Sequence, residues 1–196
     1  MRQCIFVVGT RPELISIAPM LQAAAKSGLR HTVWLTGQDH ESIDNVISDF
    51  SLNSIFVFPK NPVWRSRIGK FLFWFPSTLY RCFHYINGVK MWAGKRPLVV
   101  VHGDTHSALL GAIAGHWGGG DLINLHSGLG AGNLFSTFRQ ESRRRMIHKR
   151  TRYAFCGDEE TAARMRRYPG CIVEVEPSTI EKLLRWSGSG DKNGGA

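Results

Sequence analysis

Short continuous apolar runs alternate with helical patterns along most of this chain, and this alternation restricts its fold more than any other feature. Strands that alternate with helices form right-handed βαβ units. Seven runs have the length of a buried strand, at residues 4–8, 32–35, 55–58, 98–101, 122–125, 153–155 and 171–175. The sequence therefore predicts an α/β fold with a doubly wound, Rossmann-like parallel sheet.

Residues 1–186 are predicted to form one domain of this kind, and residues 187–196 a disordered tail. Apolar residues recur every three or four positions between the strands. They predict helices at residues 12–26, 41–50, 64–93, 108–114, 137–150, 159–167 and 178–186. Pro76 is expected to kink or break the longest of these helices. Ser178 and Glu181 have the spacing of a capping box for the last one.

Positive charge is concentrated in two segments of the 196-residue chain, whose net charge is +10. Residues 60–96 hold eight Lys and Arg without an acidic residue, and residues 139–152 hold seven with one acid. Such surfaces attract phosphate, nucleic acid or an anionic membrane. The sequence contains no known nucleic-acid-binding motif, so we predict no nucleic-acid partner.

Cysteine usage and hydropathy bear on the cellular location. The four cysteines are scattered and form no CxxC pair, which is typical of reduced thiols in a cytoplasmic protein. No apolar run approaches the roughly 18 residues that a membrane-spanning helix needs. We therefore predict a cytoplasmic protein without a spanning helix.

The turn after the first apolar run reads Gly9-Thr10-Arg11-Pro12-Glu13. Thr10 and Glu13 have the spacing of a capping box, and Pro12 suits the first turn of a helix. Capping does not explain Arg11. An arginine beside a helix N-terminus is placed to bind an anion such as a diphosphate, so both interpretations of this turn stay open.

A second polar turn, His102-Gly103-Asp104-Thr105-His106, follows the run at 98–101. The alternating His, Asp and His raise the question of a metal, but zinc would need further converging ligands, and we predict no metal site. Asp104 is interpreted either as a helix cap or as a carboxylate in a cleft. A third segment, residues 126–145, joins a glycine-rich loop to an arginine-rich helix, a combination that suits phosphate.

Taken in order, these motifs resemble those of the non-hydrolysing UDP-N-acetylglucosamine 2-epimerases. The family's GTRPE corresponds to residues 9–13, its HGDT to residues 102–105, and its H-x-E-A-G-L-R-T-G-D loop to the region of residues 125–133. The following family helix carries two glutamates and an arginine, which correspond to Gln140, Glu141 and Arg144. The resemblance covers about residues 2–185.

The resemblance implies one half of a glycosyltransferase-B-type two-domain architecture, with the active site between the domains. Family members interconvert UDP-GlcNAc and UDP-ManNAc in cell-envelope polysaccharide synthesis. They remove the C2 proton, expel UDP, and add UDP back with a proton on the other face. This chemistry needs an acid, a base and cations for the diphosphate, but no cofactor. The implied catalytic residues are Asp104 and Glu141, and the implied substrate-binding residues are Gly9, Arg11, His102 and Arg144.

Three positions depart from the family pattern. Ser16 stands where the family has a lysine, His126 where it has the loop glutamate, and Gln140 where it has the first helix glutamate. Since imidazole titrates near neutral pH, His126 is a candidate catalytic base. The chain also stops where the family's second domain would begin. We therefore expect the isolated chain to bind UDP-sugar weakly and to turn it over poorly or not at all.

Three functions are compatible with these features. The first is an isomerase half that works with a separate chain carrying the second domain. The second is a non-catalytic sugar-nucleotide-binding or scaffold module, and the third is a truncated remnant. The missing carboxylates favour the second and third, whereas the two intact turns favour the first.

Residues 64–92 hold nine of the chain's 21 aromatic residues. One helical stripe can cover the sheet, but Phe73, Trp74 and Tyr80 fall off that stripe. Together with neighbouring Lys and Arg, they suit burial against a second-domain chain or a homodimer mate. They also suit a helix lying on the inner membrane surface, so peripheral membrane contact through residues 64–92 is an alternative.

Overall fold

The computed structural model describes residues 1–38, 43–57, 67–128 and 137–175. Within them the strands are β1 (Cys4–Val8), β2 (His31–Leu35), β3 (Ile55–Val57), β4 (Leu98–His102), β5 (Asp121–Leu125), β6 (Thr151–Cys156) and β7 (Ile172–Val175). The helices are α1 (Arg11–Lys26), α2 (Asp44–Asp49), α3 (Arg67–Ala93), α4 (His106–Trp117), α5 (Thr137–His148) and α6 (Glu159–Met165). The predicted helix at 178–186, its capping box and the predicted tail lie outside the described residues.

All seven strands pair in parallel, in the order β3-β2-β1-β4-β5-β6-β7. This order confirms the predicted doubly wound sheet. The chain moves outward from β1 to β3 and then crosses to β4 on the other side of β1. Sheets of this type bind ligands in the crevice that opens at this reversal, beyond the carboxyl ends of the strands.

Helices cover both faces of the sheet. On one face α1 packs Leu14, Ile17 and Leu21 against alternate residues of β1, such as Phe6. On the other face α3 and α4 pack against the remaining β1 residues, such as Ile5. Strands buried on both faces are continuous apolar runs, which explains the sequence pattern.

Helix α3 corrects two sequence predictions. It runs without a break from Arg67 to Ala93 with Pro76 inside it, so the predicted break is wrong. Trp74 was placed off the buried stripe, yet it is only 7% exposed, and its indole N–H donates to the Thr36 carbonyl at 2.7 Å. Phe73 and Tyr80 are exposed, so they lie off the buried stripe, as predicted. Trp74 lies before the exposed Pro76, and Cys82 and Ile86 lie after it in the same buried cluster, so both halves of the helix pack on the sheet.

The ends of the strands form two opposite surfaces of the sheet. The carboxyl edge consists of the segments that follow the strands, and the amino edge of the segments that precede them. The predicted site residues at the ends of β1, β4 and β5 lie at the carboxyl edge. The remaining ones lie on α5. No helix within the described ranges is long and apolar enough to cross a membrane.

Candidate active site

The β1–α1 turn is a complete capping box. The Thr10 hydroxyl accepts from the Glu13 amide at 3.3 Å, and Glu13 Oε2 accepts from the Gly9 and Thr10 amides at 2.7 and 3.1 Å. Burial raises the pKa of Glu13, and hydrogen bonds from Thr105, Gly9 and Thr10 oppose that rise. Glu13 therefore caps the N-terminus of α1. Arg11 is half-buried, and its Nε has no hydrogen-bond partner among the described residues.

The β4–α4 turn releases Asp104 from a capping role. Gly103 adopts φ +67°, a left-handed conformation that glycine accepts without strain. This reversal places Thr105 at the N-cap, where its hydroxyl accepts from the Ala108 amide at 3.0 Å. The helix-cap interpretation of Asp104 is therefore wrong, because the next residue takes that position.

The two turns pack directly against each other. A Cβ on Gly9 would lie 1.9 Å from the Ser107 hydroxyl, so only glycine permits this approach. The Ser107 hydroxyl also lies 2.7 Å from the Thr36 hydroxyl and donates to Gln38 Oε1 at 2.8 Å. The ends of β1, β2 and β4 thus meet in one buried polar network. The sequence predictions missed Ser107 and Gln38, although a polar residue just after the second predicted strand was a usable signal.

Asp104 forms an ion pair with Arg144 of α5. Its Oδ2 lies 2.8 Å from Arg144 Nε, and the two side chains are 31% and 14% exposed. Arg144 Nη1 is buried without a hydrogen-bond partner among the described residues. Arg143, which the sequence predictions also missed, donates from Nε to the Asp104 carbonyl at 3.1 Å. Two neighbouring arginines therefore hold the Asp104 turn, and one keeps an unused donor.

Glu141 and His148 flank this ion pair on α5. Glu141 lies 3.3 Å from Arg145 and is partly exposed. Burial, together with the charge of Arg144, lowers the pKa of His148 to about 4, although Glu141 and Asp104 oppose the shift. These three groups are therefore all close enough to act on one imidazole. His148 also packs edge-on against Tyr168, with ring centroids 5.4 Å apart.

His102 joins two of the three positions that depart from the family pattern. Its Nε2 lies 3.2 Å from the Ser16 hydroxyl, and its ring lies 4.9 Å from that of His126. Burial, reinforced by the charge of His126, lowers the pKa of His102 to about 4. His126 itself is exposed at a backbone φ of +55°. His102 is thus a neutral hydrogen-bonding group at neutral pH, beneath an accessible imidazole.

The structure brings most of the predicted residues to one edge. His102 and Asp104 share a turn, which contacts Ser16, His126 and Arg144. Gly9 packs against the same turn through Ser107. No hydrogen bond or ion pair joins Arg11 to this group among the described residues. Within the same ranges, no three His, Cys, Asp or Glu side chains are grouped to hold a metal ion.

Comparison with known proteins gives relatives of one kind. A protein named "Probable UDP-N-acetylglucosamine 2-epimerase" from Ralstonia solanacearum is 30% identical over 189 residues, which cover 94% of this chain and 48% of the relative. The UDP-N-acetylglucosamine 2-epimerase of Yersinia pestis is 28% identical over 185 residues, covering 92% and 46%. No family model matches the chain.

The chain is a homologue of the N-terminal half of UDP-N-acetylglucosamine 2-epimerases. It spans about half the length of the curated relatives that it matches. The predicted family resemblance and its restriction to one half are therefore confirmed.

A solved structure supports the fold of this epimerase-like half. The UDP-GlcNAc 2-epimerase from Neisseria meningitidis, bound to UDP-GlcNAc, superimposes with a TM-score of 0.72 at 24% identity. The match covers 94% of this chain and 49% of that one. The Rossmann-like domain thus has the fold of one half of the epimerase structures, which are of the glycosyltransferase-B type, as predicted.

Proposed function

We propose that this chain is the N-terminal, catalytic-edge half of a UDP-N-acetylglucosamine 2-epimerase-like isomerase that binds a UDP-sugar. One observation carries the proposal: the two motifs that resemble the epimerases pack together at the switch point of the sheet, within a homologous match that covers more than nine-tenths of the chain. The proposed pathway is cell-envelope polysaccharide synthesis, in the cytoplasm.

The diphosphate would be held by unused guanidinium donors at the carboxyl edge. Arg11 Nε and Arg144 Nη1 are buried, and neither has a hydrogen-bond partner among the described residues. A buried donor without a partner is costly, so an anion that accepts from it is strongly favoured. In this proposal Gly9 lets the substrate approach the β1–α1 turn, and the N-terminus of α1 adds its positive dipole end.

Proton transfer at C2 would use groups around the β4–α4 turn. Asp104 is a carboxylate held in place by Arg144, and His126 is an exposed imidazole directly beside His102. We assign Asp104, Glu141 and His126 as catalytic residues, with His126 as the base that the family's loop glutamate would supply. His102 is a substrate-binding residue, because its neutral ring can donate or accept one hydrogen bond.

A second domain would complete the site, from the rest of a longer chain or from a complementary chain; a homodimer mate is a separate proposed partner. The epimerase relatives are about twice as long as the matched region. Closing a second domain over the carboxyl edge would exclude water and add contacts to UDP. We therefore expect this half alone to bind UDP-sugar weakly and to turn it over slowly, if at all.

Non-catalytic sugar-nucleotide binding is the second candidate function. Gln140 replaces a carboxylate of the family pattern, and Ser16 and His126 replace a lysine and a glutamate. The guanidinium groups proposed for the diphosphate are retained, whereas the acid–base set is reduced. This pattern favours a protein that binds the nucleotide sugar without inverting C2. A truncated remnant, by contrast, would bind no nucleotide.

Two measurements on the purified chain separate these functions. Calorimetric titration with UDP is expected to show binding that Arg11→Gln weakens by at least tenfold, since a charge-assisted contact is lost. Arg30→Gln is the matched control, because Arg30 lies on the amino edge and should leave UDP affinity unchanged. Exchange of the C2 proton of UDP-GlcNAc with deuterated solvent is then followed in the presence of a chain carrying the second domain.

Each outcome of these measurements separates the isomerase from the binding module or excludes both. Exchange that Asp104→Asn and His126→Gln abolish supports the isomerase, whereas UDP binding without exchange supports the binding module. Absence of UDP binding, or equal weakening by Arg11→Gln and Arg30→Gln, overturns both.

A further inference from the structure

The amino edge of the sheet, opposite the proposed site, concentrates positive charge. Three of the segments that lead into strands, residues 26–31, 90–97 and 148–152, hold eight Lys and Arg and no acidic residue. In the described segments of this edge the acids are Asp49, which is exposed, and Asp121, which is buried and paired with arginines. The amino edge is therefore strongly positive, in a chain whose net charge is +10.

Helix dipoles explain only part of this charge. Cations in the last turn of a helix are stabilised by its negative end, which accounts for Lys26 and Lys90. Arg96 is paired with Asp121, whereas Arg30 and Lys95 lie beyond the helix ends, where the dipole effect is weak. The Arg30 side chain makes no hydrogen bond or ion pair with any described residue. These cations are placed to meet an external anion.

Exposed apolar side chains lie among the cations. Met91 and Trp92, in the last turn of α3, are 75% and 85% exposed, and Trp117 at the end of α4 is 60% exposed. The Lys90 side chain, at the end of α3, lies against Gly119, just beyond the end of α4. A Cβ on Gly119 would be only 2.6 Å from Lys90 Nζ. Met91 and Trp92 are the most exposed large apolar residues of the described chain.

A groove opens beside Trp92 on the same edge. Its volume is about 510 Å³, and its lining includes Gln3, Arg30, His31, Asn53, Ser54 and Trp92. The lining therefore combines an unpaired guanidinium with amide and hydroxyl groups and an indole. This combination suits a phosphate group attached to an apolar body.

We propose that the amino edge docks on an anionic phospholipid surface, with Trp92 and Met91 at the lipid interface and Arg30 in the groove on a lipid phosphate. A membrane surface fits better than a second copy of this chain, which would bring the same cations against each other. It fits better than nucleic acid, because Met91 gains from hydrocarbon but offers no stacking surface. This inference does not depend on the proposed enzymatic function.

The proposed membrane contact uses a different part of α3 from the one that the sequence suggests. The aromatic segment suggested membrane contact through residues 64–92, including Trp74. Trp74 is buried on the sheet, so it cannot insert into lipid in this structure. The contact is assigned instead to the last turn of α3 and the segments beside it.

Co-sedimentation with vesicles tests the proposal. The full chain is mixed with vesicles of phosphatidylcholine containing phosphatidylglycerol, and with phosphatidylcholine alone, at low and high salt. We expect binding to the anionic vesicles only, weakened by salt. Arg30→Gln and Lys95→Gln should each lower the partition coefficient about fivefold, since each basic residue near an anionic membrane adds a similar free energy of binding. Trp92→Ala should lower it further by several-fold.

Tyr80→Ala is the matched control, because Tyr80 is 64% exposed on α3 but lies away from the amino edge. It should leave the partition coefficient unchanged, and circular dichroism should confirm that every variant is folded. Failure to bind anionic vesicles overturns the proposal, as does equal loss with Tyr80→Ala. Two other results also overturn it: a dimer in light scattering that Trp92→Ala dissociates, or tighter binding to an oligonucleotide with the same variant dependence.

Discussion

Gly9 shows how a single missing side chain shapes the proposed site. The sequence interprets it as a tight turn, but the structure gives a stronger reason, since the Ser107 hydroxyl occupies the space that a Cβ would need. The two motif turns can meet only because residue 9 has no side chain.

Gly9→Ala is therefore expected to destabilise the fold by about 1–3 kcal/mol, as an added methyl in a packed site does. It should also weaken UDP binding, because the turns must separate. Urea unfolding measures the first effect. Gly88→Ala is the control: nothing lies within 4 Å of its added Cβ on α3, so the alanine should raise stability by about 0.5–1 kcal/mol. Similar losses at both positions would contradict the packing argument.

Two half-buried histidines predict a loss of stability in acid. The pKa values of His102 and His148 lie near 4 in the folded chain, below the ordinary value of 6.5. Between these values the unfolded chain binds protons that the folded chain does not. The stabilisation is complete above pH 6.5 and is lost as the pH falls toward 4.

Urea unfolding across that pH range measures the effect. His148→Phe keeps a ring against Tyr168 but cannot titrate, so its free energy of unfolding should depend less steeply on pH. Identical slopes for the variant and the parent would refute the assignment to His148.

Residue-level prediction from the sequence succeeded where a motif fixes its own neighbourhood. The capping box around Thr10 and the turn position of Asp104 follow from spacing. The partners of these residues do not, because Ser107, Gln38 and Arg143 reach the site from segments whose approach depends on the finished sheet. The shift of the cap from Asp104 to Thr105 depends on the left-handed Gly103, which spacing does not show.

At the scale of elements, Trp74 is the aromatic residue that anchors α3 by a buried hydrogen bond. Periodicity predicted the helix, but it placed Trp74 on the wrong side because a helix with apolar residues on several faces has no single stripe. The hydrogen bond from Trp74 to the Thr36 carbonyl fixes the helix rotation and connects α3 with the end of β2.

Trp74→Phe should lower the free energy of unfolding by about 1–3 kcal/mol, because it leaves the buried Thr36 carbonyl without its donor. Tyr80→Phe is the matched control on the exposed face of the same helix, and its effect should stay within about 0.5 kcal/mol. Chemical denaturation compares the two, and equal effects would rule out an anchoring role for the indole N–H.

At the scale of the whole molecule, Asp121 fastens the amino edge. Its buried carboxylate pairs with the buried Arg2 and with Arg96, and Arg152 lies 3.9 Å away. These residues bring together the N-terminus, the start of β4, the start of β5 and the start of β6. One buried acid therefore connects four parts of the sheet.

Asp121→Asn should cost about 3–5 kcal/mol, because it leaves the buried Arg2 charge unpaired. Glu160→Gln is the control, since Glu160 pairs with Arg164 on the surface and should contribute about 0–1 kcal/mol. Thermal unfolding distinguishes them. A shift for Asp121→Asn no larger than that for Glu160→Gln would contradict a fastening role.

The strand order could be predicted in kind because alternating strands and helices permit few connections. The concentration of positive charge at the amino edge could not be predicted in this way. Residues 26–31, 90–97 and 148–152 are distant in sequence, and only the parallel sheet places them on one side. Their common surface is a property of topology rather than of any local motif.

The contact of Ser16 and His126 with a single ring couples two positions that depart from the family pattern. The two replacements of the family pattern are neighbours in space, separated by His102. Restoring the lysine alone would put an ammonium beside an imidazole that resists protonation, and restoring the glutamate alone would bring a carboxylate without its counter-ion. We therefore expect Ser16→Lys and His126→Glu to be tolerated better together than either is alone.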